Sequence, residues 1–131
     1  MSGEVEVVLR LLLASALAAV IGFERERRGK PAGLRTHVLI GLGAALFAAA
    51  GDIGFAGVES SRIAAGVVTG IGFLGAGAII RRGGEVEGLT TAATMWVVAA
   101  IGLASGAGLY VVASVTTAIT LVVLLLPHPV R

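Results

Sequence analysis

Gly70-Ile71-Gly72-Phe73-Leu74-Gly75 carries the glycine spacing that brings backbone N–H groups against a pyrophosphate, with a fourth glycine at Gly77. That chemistry needs more than glycines. A strand must precede them, a helix must follow, and an acidic residue should stand about 20 positions on. Here the glycines sit inside residues 63–80, a run with no charge. Glu85 and Glu87 come too early, and the positions about 20 residues on are apolar. The nucleotide match is coincidental.

The other candidates for chemistry are polar side chains at the edges of apolar runs. Residues 24–31, Glu-Arg-Glu-Arg-Arg-Gly-Lys-Pro, read as a helical turn ended by Pro31, in which Glu24 can pair with Arg28 and Glu26 with Lys30. Arg25 lies in the same turn. Arg35, Thr36 and His37 open the next run; Arg35 or His37 could serve a site or act as interfacial anchors, and His37 could switch with pH. Asp52 ends that run and Arg62 begins the following one. An ion pair between them would clamp the hairpin, the alternative being two solvated charges. Thr90 is placed to cap a helix whose N-terminus, near Arg81 and Arg82, would suit an anion. Thr90 and Thr94 share a helical face, and the alternative to an anion site there is a cap plus hydrogen bonds between helices. Trp96, two turns into that helix, reads as packing.

What is missing narrows the chemistry further. There is no cysteine, so no disulfide, zinc or thiol site can be built. No Asp or Glu lies inside any apolar run, and the interior polar groups are mainly Ser and Thr. Nothing supports hydrolysis or redox chemistry, so no catalytic residue, metal site or cofactor is expected and the chain reads as not an enzyme. Mg²⁺ gives up water reluctantly and is usually held by one or two carboxylates. A monomeric Mg²⁺ channel is hard to build from these residues; carbonyl-lined or oligomeric pores stay open.

Composition says what must position these groups. Of 131 residues 56% are hydrophobic and only 14% charged, with 20 glycines and a mean hydropathy of +0.98. A soluble domain carries about 25% charge. Aromatics at 5% argue against a base-stacking surface, so no nucleic-acid partner is expected. Apolar runs fall at residues 11–23 (extendable to 5 if Arg10, paired with Glu6, snorkels), 36–51, 63–80, 89–104 and 109–126. The last two are split at Ser105-Gly106-Ala107-Gly108, because one helix over 88–130 would reach roughly 60 Å, twice the hydrocarbon thickness. The pattern predicts an all-α bundle of about five transmembrane helices.

Charge orients them. Arg25, Arg27, Arg28, Lys30, Arg35, Arg81, Arg82 and Arg131 fall on one side; Arg10 and Arg62 fall on the other. Eight against two predicts an N-terminus outside, a C-terminus in the cytoplasm and no dual topology. The basic pI of about 9.9 is then mainly a topology signal, with an anionic lipid or acidic partner as the alternative. The first run is not a cleaved signal peptide, since Glu4 and Glu6 precede it and the basic cluster follows it.

On the third helix, Gly66, Gly70 and Gly77 fall within roughly 40° of one another, and Gly72 and Gly75 lie near the opposite side. In lipid, helices associate through close backbone approach at small residues. Two glycine faces therefore predict a third helix at the bundle centre. The rival reading is an unwound Gly70–Gly77 segment that exposes carbonyls to an ion.

Taken in order, residues 22–27 (GFERER), 33–37 (GLRTH), 62–64 (RIA) leading to 70–77 (GIGFLGAG), 88–93 (GLTTAA) with Trp96, and 106–108 (GAG) resemble the MgtC/SapB membrane proteins over nearly the whole chain. The resemblance implies a single transmembrane domain over residues 1–131, in a bacterial inner-membrane protein of about five spans. It implies links to growth under Mg²⁺ limitation, to virulence in some pathogens and to restraint of the F-type ATP synthase. The family residues carried over are Glu24, Arg25, Arg35, Thr36, His37, Asp52, Arg62, Gly70, Gly72, Gly75, Gly77, Thr90, Thr91 and Trp96. Many members continue into a cytoplasmic ACT-like domain, whereas this sequence stops at Arg131, so a function nearer the membrane core is expected.

Two functions follow as expectations. One is a non-enzymatic regulator of Mg²⁺ homeostasis or membrane energetics, docked in the bilayer against a membrane protein such as the F-type ATP synthase or against its own copies. The other is a transporter of an ion or small solute, with a site around the third and fourth helices.

Overall fold

The computed structural model describes residues 3–54, 59–82 and 85–126. Among them are five α-helices: α1 (Gly3–Arg27), α2 (Leu34–Ala49), α3 (Ser60–Ala78), α4 (Leu89–Gly106) and α5 (Tyr110–Leu124). The first four are long and apolar enough to cross a membrane, and α5 is a shorter apolar helix. Helix α2 runs on through a π-helical turn, Ala50–Gly54, that carries Asp52. The expected runs are therefore the helices, with one addition to the all-α reading. Strands β1 (Ile80–Arg82) and β2 (Glu85–Glu87) form an antiparallel hairpin between α3 and α4, with Ile80 opposite Glu87. Three-residue strands leave too little periodicity to be seen in advance.

Two glycines end helices by the same device. At the end of α1, Gly29 takes φ +67° while its N–H reaches Glu26 O and that of Lys30 reaches Arg25 O. At the end of α4, Gly108 takes φ +87° while its N–H reaches Ser105 O and that of Leu109 reaches Ala104 O. This left-handed stop satisfies carbonyls the helix leaves unpaired, and only glycine enters it without steric cost.

The centre of the bundle is α4, not α3. Half of its membrane-length stretch is buried, against 17% for α3. Helices α2 and α4 run parallel, with Gly41 and Ala45 of α2 facing Gly102 and Gly106 of α4. A Cβ on Gly102 would collide with Gly41 O, and one on Gly106 would stand 2.8 Å from Ala45 Cα. On the other side of α2, a Cβ on Gly41 would stand 2.7 Å from Ala18 Cβ of α1. Small residues four apart thus bring three backbones close enough for van der Waals contact, the force that holds helices together in lipid. Ala14, Ala18, Ile21, Ile40, Val98 and Ile101 fill the space around them.

The expected two-faced third helix is corrected accordingly. Of its glycines, Gly75 meets a neighbour, with Ala92 Cβ 3.5 Å from where its own would be. Beside Gly66, Gly70, Gly72 and Gly77 there is open space within the chain. Residues 70–77 remain helical, so the unwound alternative is not the conformation seen.

Candidate functional site

Polar side chains gather at both ends of the bundle. At one end α1 finishes, α2 and α4 begin, and α3 hands over to the hairpin. Arg25 points inward there and is only 3% exposed. Its Nη2 donates to Thr91 Oγ1 on α4 (3.3 Å), and its Nη1 lies 3.5 Å from Glu24 Oε1. Nε is buried without a hydrogen-bond partner among the described residues. The other oxygen of Glu24 is 2.8 Å from Arg28 Nε, an ion pair whose angle falls outside hydrogen-bonding geometry. The expected Glu24–Arg28 pair is therefore present. Glu26 does not turn to Lys30; its Oε1 accepts the N–H of Leu34 (3.1 Å), placing a carboxylate at the start of α2, where the helix dipole favours it.

His37 lies one layer deeper and is fully buried. Nδ1 is 2.9 Å from Gly33 O, and Nε2 is 3.0 Å from Thr94 Oγ1. A carbonyl only accepts, so Nδ1 carries a proton. Thr94 Oγ1 is also 2.7 Å from Thr91 O. Its single hydrogen serves either that carbonyl or a deprotonated Nε2. Gly22 allows this closeness, because a Cβ there would stand 3.0 Å from His37 Cβ.

At the opposite end Arg10 is the hub. Its guanidinium donates to Glu6 Oε2 and to Gly106 O, both at 2.8 Å, and its Nε lies 3.4 Å from the Tyr110 hydroxyl. Asp52 Oδ2 stands 3.7 Å away. A cation thus closes the C-terminal end of α4, where carbonyls lack partners and the dipole is negative. The clamp expected between Asp52 and Arg62 is made instead between Asp52 and Arg10; Arg62 stays exposed in the first turn of α3. Arg10 is a bundle residue, missed because it reads as a charge snorkelling out of the first run.

The remaining candidates do not converge. Arg35, Thr36, Thr90 and Trp96 are exposed. Thr90 is not the cap: Gly88 precedes the helix at φ +88°, with its backbone against Ala78 O, and makes no side-chain cap. Of the expected Thr90–Thr94 face only Thr94 is buried, and Thr91 rather than Thr90 faces inward with it. Hydroxyls along the apolar helices, at Thr69, Ser105, Thr116, Thr117 and Thr120, each donate to the carbonyl four residues back, which keeps them satisfied in an apolar setting. Among the described residues no three His, Asp or Glu side chains come together as metal ligands.

Comparison with known proteins agrees with this membrane architecture. The chain is 50% identical over 131 residues to the "Putative magnesium transporter YhiD" of Escherichia coli (strain K12), a match covering 94% of this chain and 61% of YhiD. It is 46% identical over 129 residues to protein SrpB of Synechococcus elongatus, covering 88% of this chain and 71% of SrpB. It is also 46% identical over 116 residues to protein MgtC of Brucella abortus, covering 88% of this chain and 49% of that protein. The chain thus spans about three-fifths of YhiD and half of MgtC. No solved structure matches it. The MgtC family profile matches residues 11–131, from within α1 through α5 and without Glu6 and Arg10, and the chain belongs to the MgtC family.

Proposed function

We propose that this chain is a non-enzymatic regulator in the bacterial inner membrane, acting on Mg²⁺ homeostasis or membrane energetics by docking against other membrane proteins. The observation that supports it most is on α3. Ala65, Thr69, Gly72 and Ala76 are all exposed and fall within roughly 60° of one another on the helix. A small-residue stripe turned away from its own bundle suits close approach by a helix of another protein. Residues 1–131 act as one transmembrane domain in this reading, and the F-type ATP synthase is the partner it suggests. The basic end, with Lys30 and Arg35, faces the cytoplasm and the N-terminus faces out. Cysteines replacing Gly3 or Glu59 should then label from outside intact cells, and one replacing Lys30 should not; the reverse pattern would overturn the orientation.

Protein in liposomes should carry no Mg²⁺. Overexpression should lower proton-driven ATP synthesis in inverted vesicles, and Gly72→Phe, which blocks the stripe, should relieve that effect. Unchanged ATP synthesis would remove the ATP synthase from the reading. The name of YhiD favours transport as a second reading, with Thr91 and Asp52 as its polar groups. Saturable Mg²⁺ uptake, lost in folded Thr91→Ala or Asp52→Asn, would establish it in place of the regulator.

A further inference from the structure

A different face of α3 carries the next step. Between α2 and α3 runs a groove of about 720 Å³, open toward the lipid, and apart from Thr36 at one end its lining is apolar. Gly43 on one wall and Gly66 and Gly70 on the other hold it open, with nothing within 4 Å of where their side chains would begin. From Thr36 to Phe47 it follows α2 for roughly 16 Å, which gives a mean cross-section of roughly 45 Å², about half that of a helix 10 Å across. That is room for extended hydrocarbon chains rather than for a whole helix.

The two ends of the groove differ in charge. Among the described residues, seven basic and four acidic lie at the end of the bundle where Thr36 sits, and two basic and four acidic lie at the other. Lys30 and Arg35 are exposed at that basic end, and neither has an ion-pair partner among the described residues. Basic pockets between transmembrane helices are where anionic headgroups settle. A second copy is a poorer occupant, because copies inserted the same way round bring basic end against basic end.

We propose that the α2–α3 groove is a binding site for an anionic phospholipid, with acyl chain along Gly43, Gly66 and Gly70 and phosphate at Arg35 and Lys30. The site is separate from the α3 stripe on which the regulator reading rests, so either can fail alone.

The test uses the whole protein in neutral detergent. Phosphatidylglycerol and phosphatidylcholine with identical chains are titrated in, with melting temperature and lipid adducts in native mass spectrometry as readouts. Phosphatidylglycerol should raise the melting temperature and form a one-to-one adduct, and phosphatidylcholine should do neither at the same concentration. Arg35→Gln, on an exposed position that leaves the fold intact, should weaken phosphatidylglycerol binding about fivefold, the worth of one basic residue near a membrane surface. Gly70→Phe should abolish the adduct by filling the groove. Equal binding of both lipids would overturn the headgroup assignment, as would an unchanged affinity in Arg35→Gln. Phosphatidylglycerol binding retained in a folded Gly70→Phe would overturn the groove, and so would a dimer that dissociates on Gly70→Phe.

Discussion

Leucine at Gly106 is expected to leave little folded protein in detergent, while leucine at Gly70 melts as the unmodified chain does. At Gly106 the new side chain would have to displace the backbone of α2 at Ala45, a main-chain contact that no rotamer change can relieve. Even Gly106→Ala should cost about 1–3 kcal/mol through overpacking, more than the gain of about 1 kcal/mol that alanine brings to a helix interior. At Gly70 nothing stands within 4 Å of the first added atom, so there only the propensity gain acts, and Gly70→Ala should melt slightly higher. The melting order Gly70→Leu above Gly106→Ala above Gly106→Leu checks this. A Gly70→Leu variant as damaged as Gly106→Leu would return α3 to the centre of the bundle.

The second large effect is at Arg25. Arg25→Met should destabilise the bundle by about 3 kcal/mol, at the low end for breaking a buried ion pair, because Arg28 keeps Glu24 paired. Arg25→Lys should recover only part of this, since a lysine keeps the charge and loses the planar fork that reaches Glu24 and Thr91 together. Methionine without measurable loss in melting would mean that apolar packing alone ties α1 to α4 at this end.

The spans were legible because long uncharged runs have few other uses, and their ends fell where Pro31, Gly88 and residues 105–108 interrupt them. Which helix lies inside was not legible. In a soluble bundle the core face is apolar and the outer face polar, so the pattern points inward; here lipid makes both faces apolar. Val98, buried, and Val111, exposed, look alike in sequence. Only small residues carry directional information, and the third helix has the densest set of them. The quieter pairs, Gly41 with Ala45 and Gly102 with Gly106, keep the same four-residue spacing and proved to be the ones in use.

Polar residues were legible as to type and less so as to direction. Glu24–Arg28 and Glu6–Arg10 followed from spacing along one helix. Arg25–Thr91 and Arg10–Gly106 did not, because they join positions 66 and 96 residues apart, which no local pattern records. For the same reason Asp52 found Arg10 rather than Arg62, its nearer neighbour in the chain.

Arg10, part-buried, and Arg25, buried, also set a spacing through the bundle. Arg10 and Arg25 stand on one helix, and fifteen residues of rise separate them by roughly 22 Å. Each is tied to an acidic partner, and each is covered mostly by protein, so both charges are satisfied inside the bundle. On α4, the twelve residues from Thr94 to Gly106 give a similar interval of roughly 18 Å. A bilayer core is about 30 Å deep, so polar layers spaced this closely have to find their partners within the protein, as both arginines do.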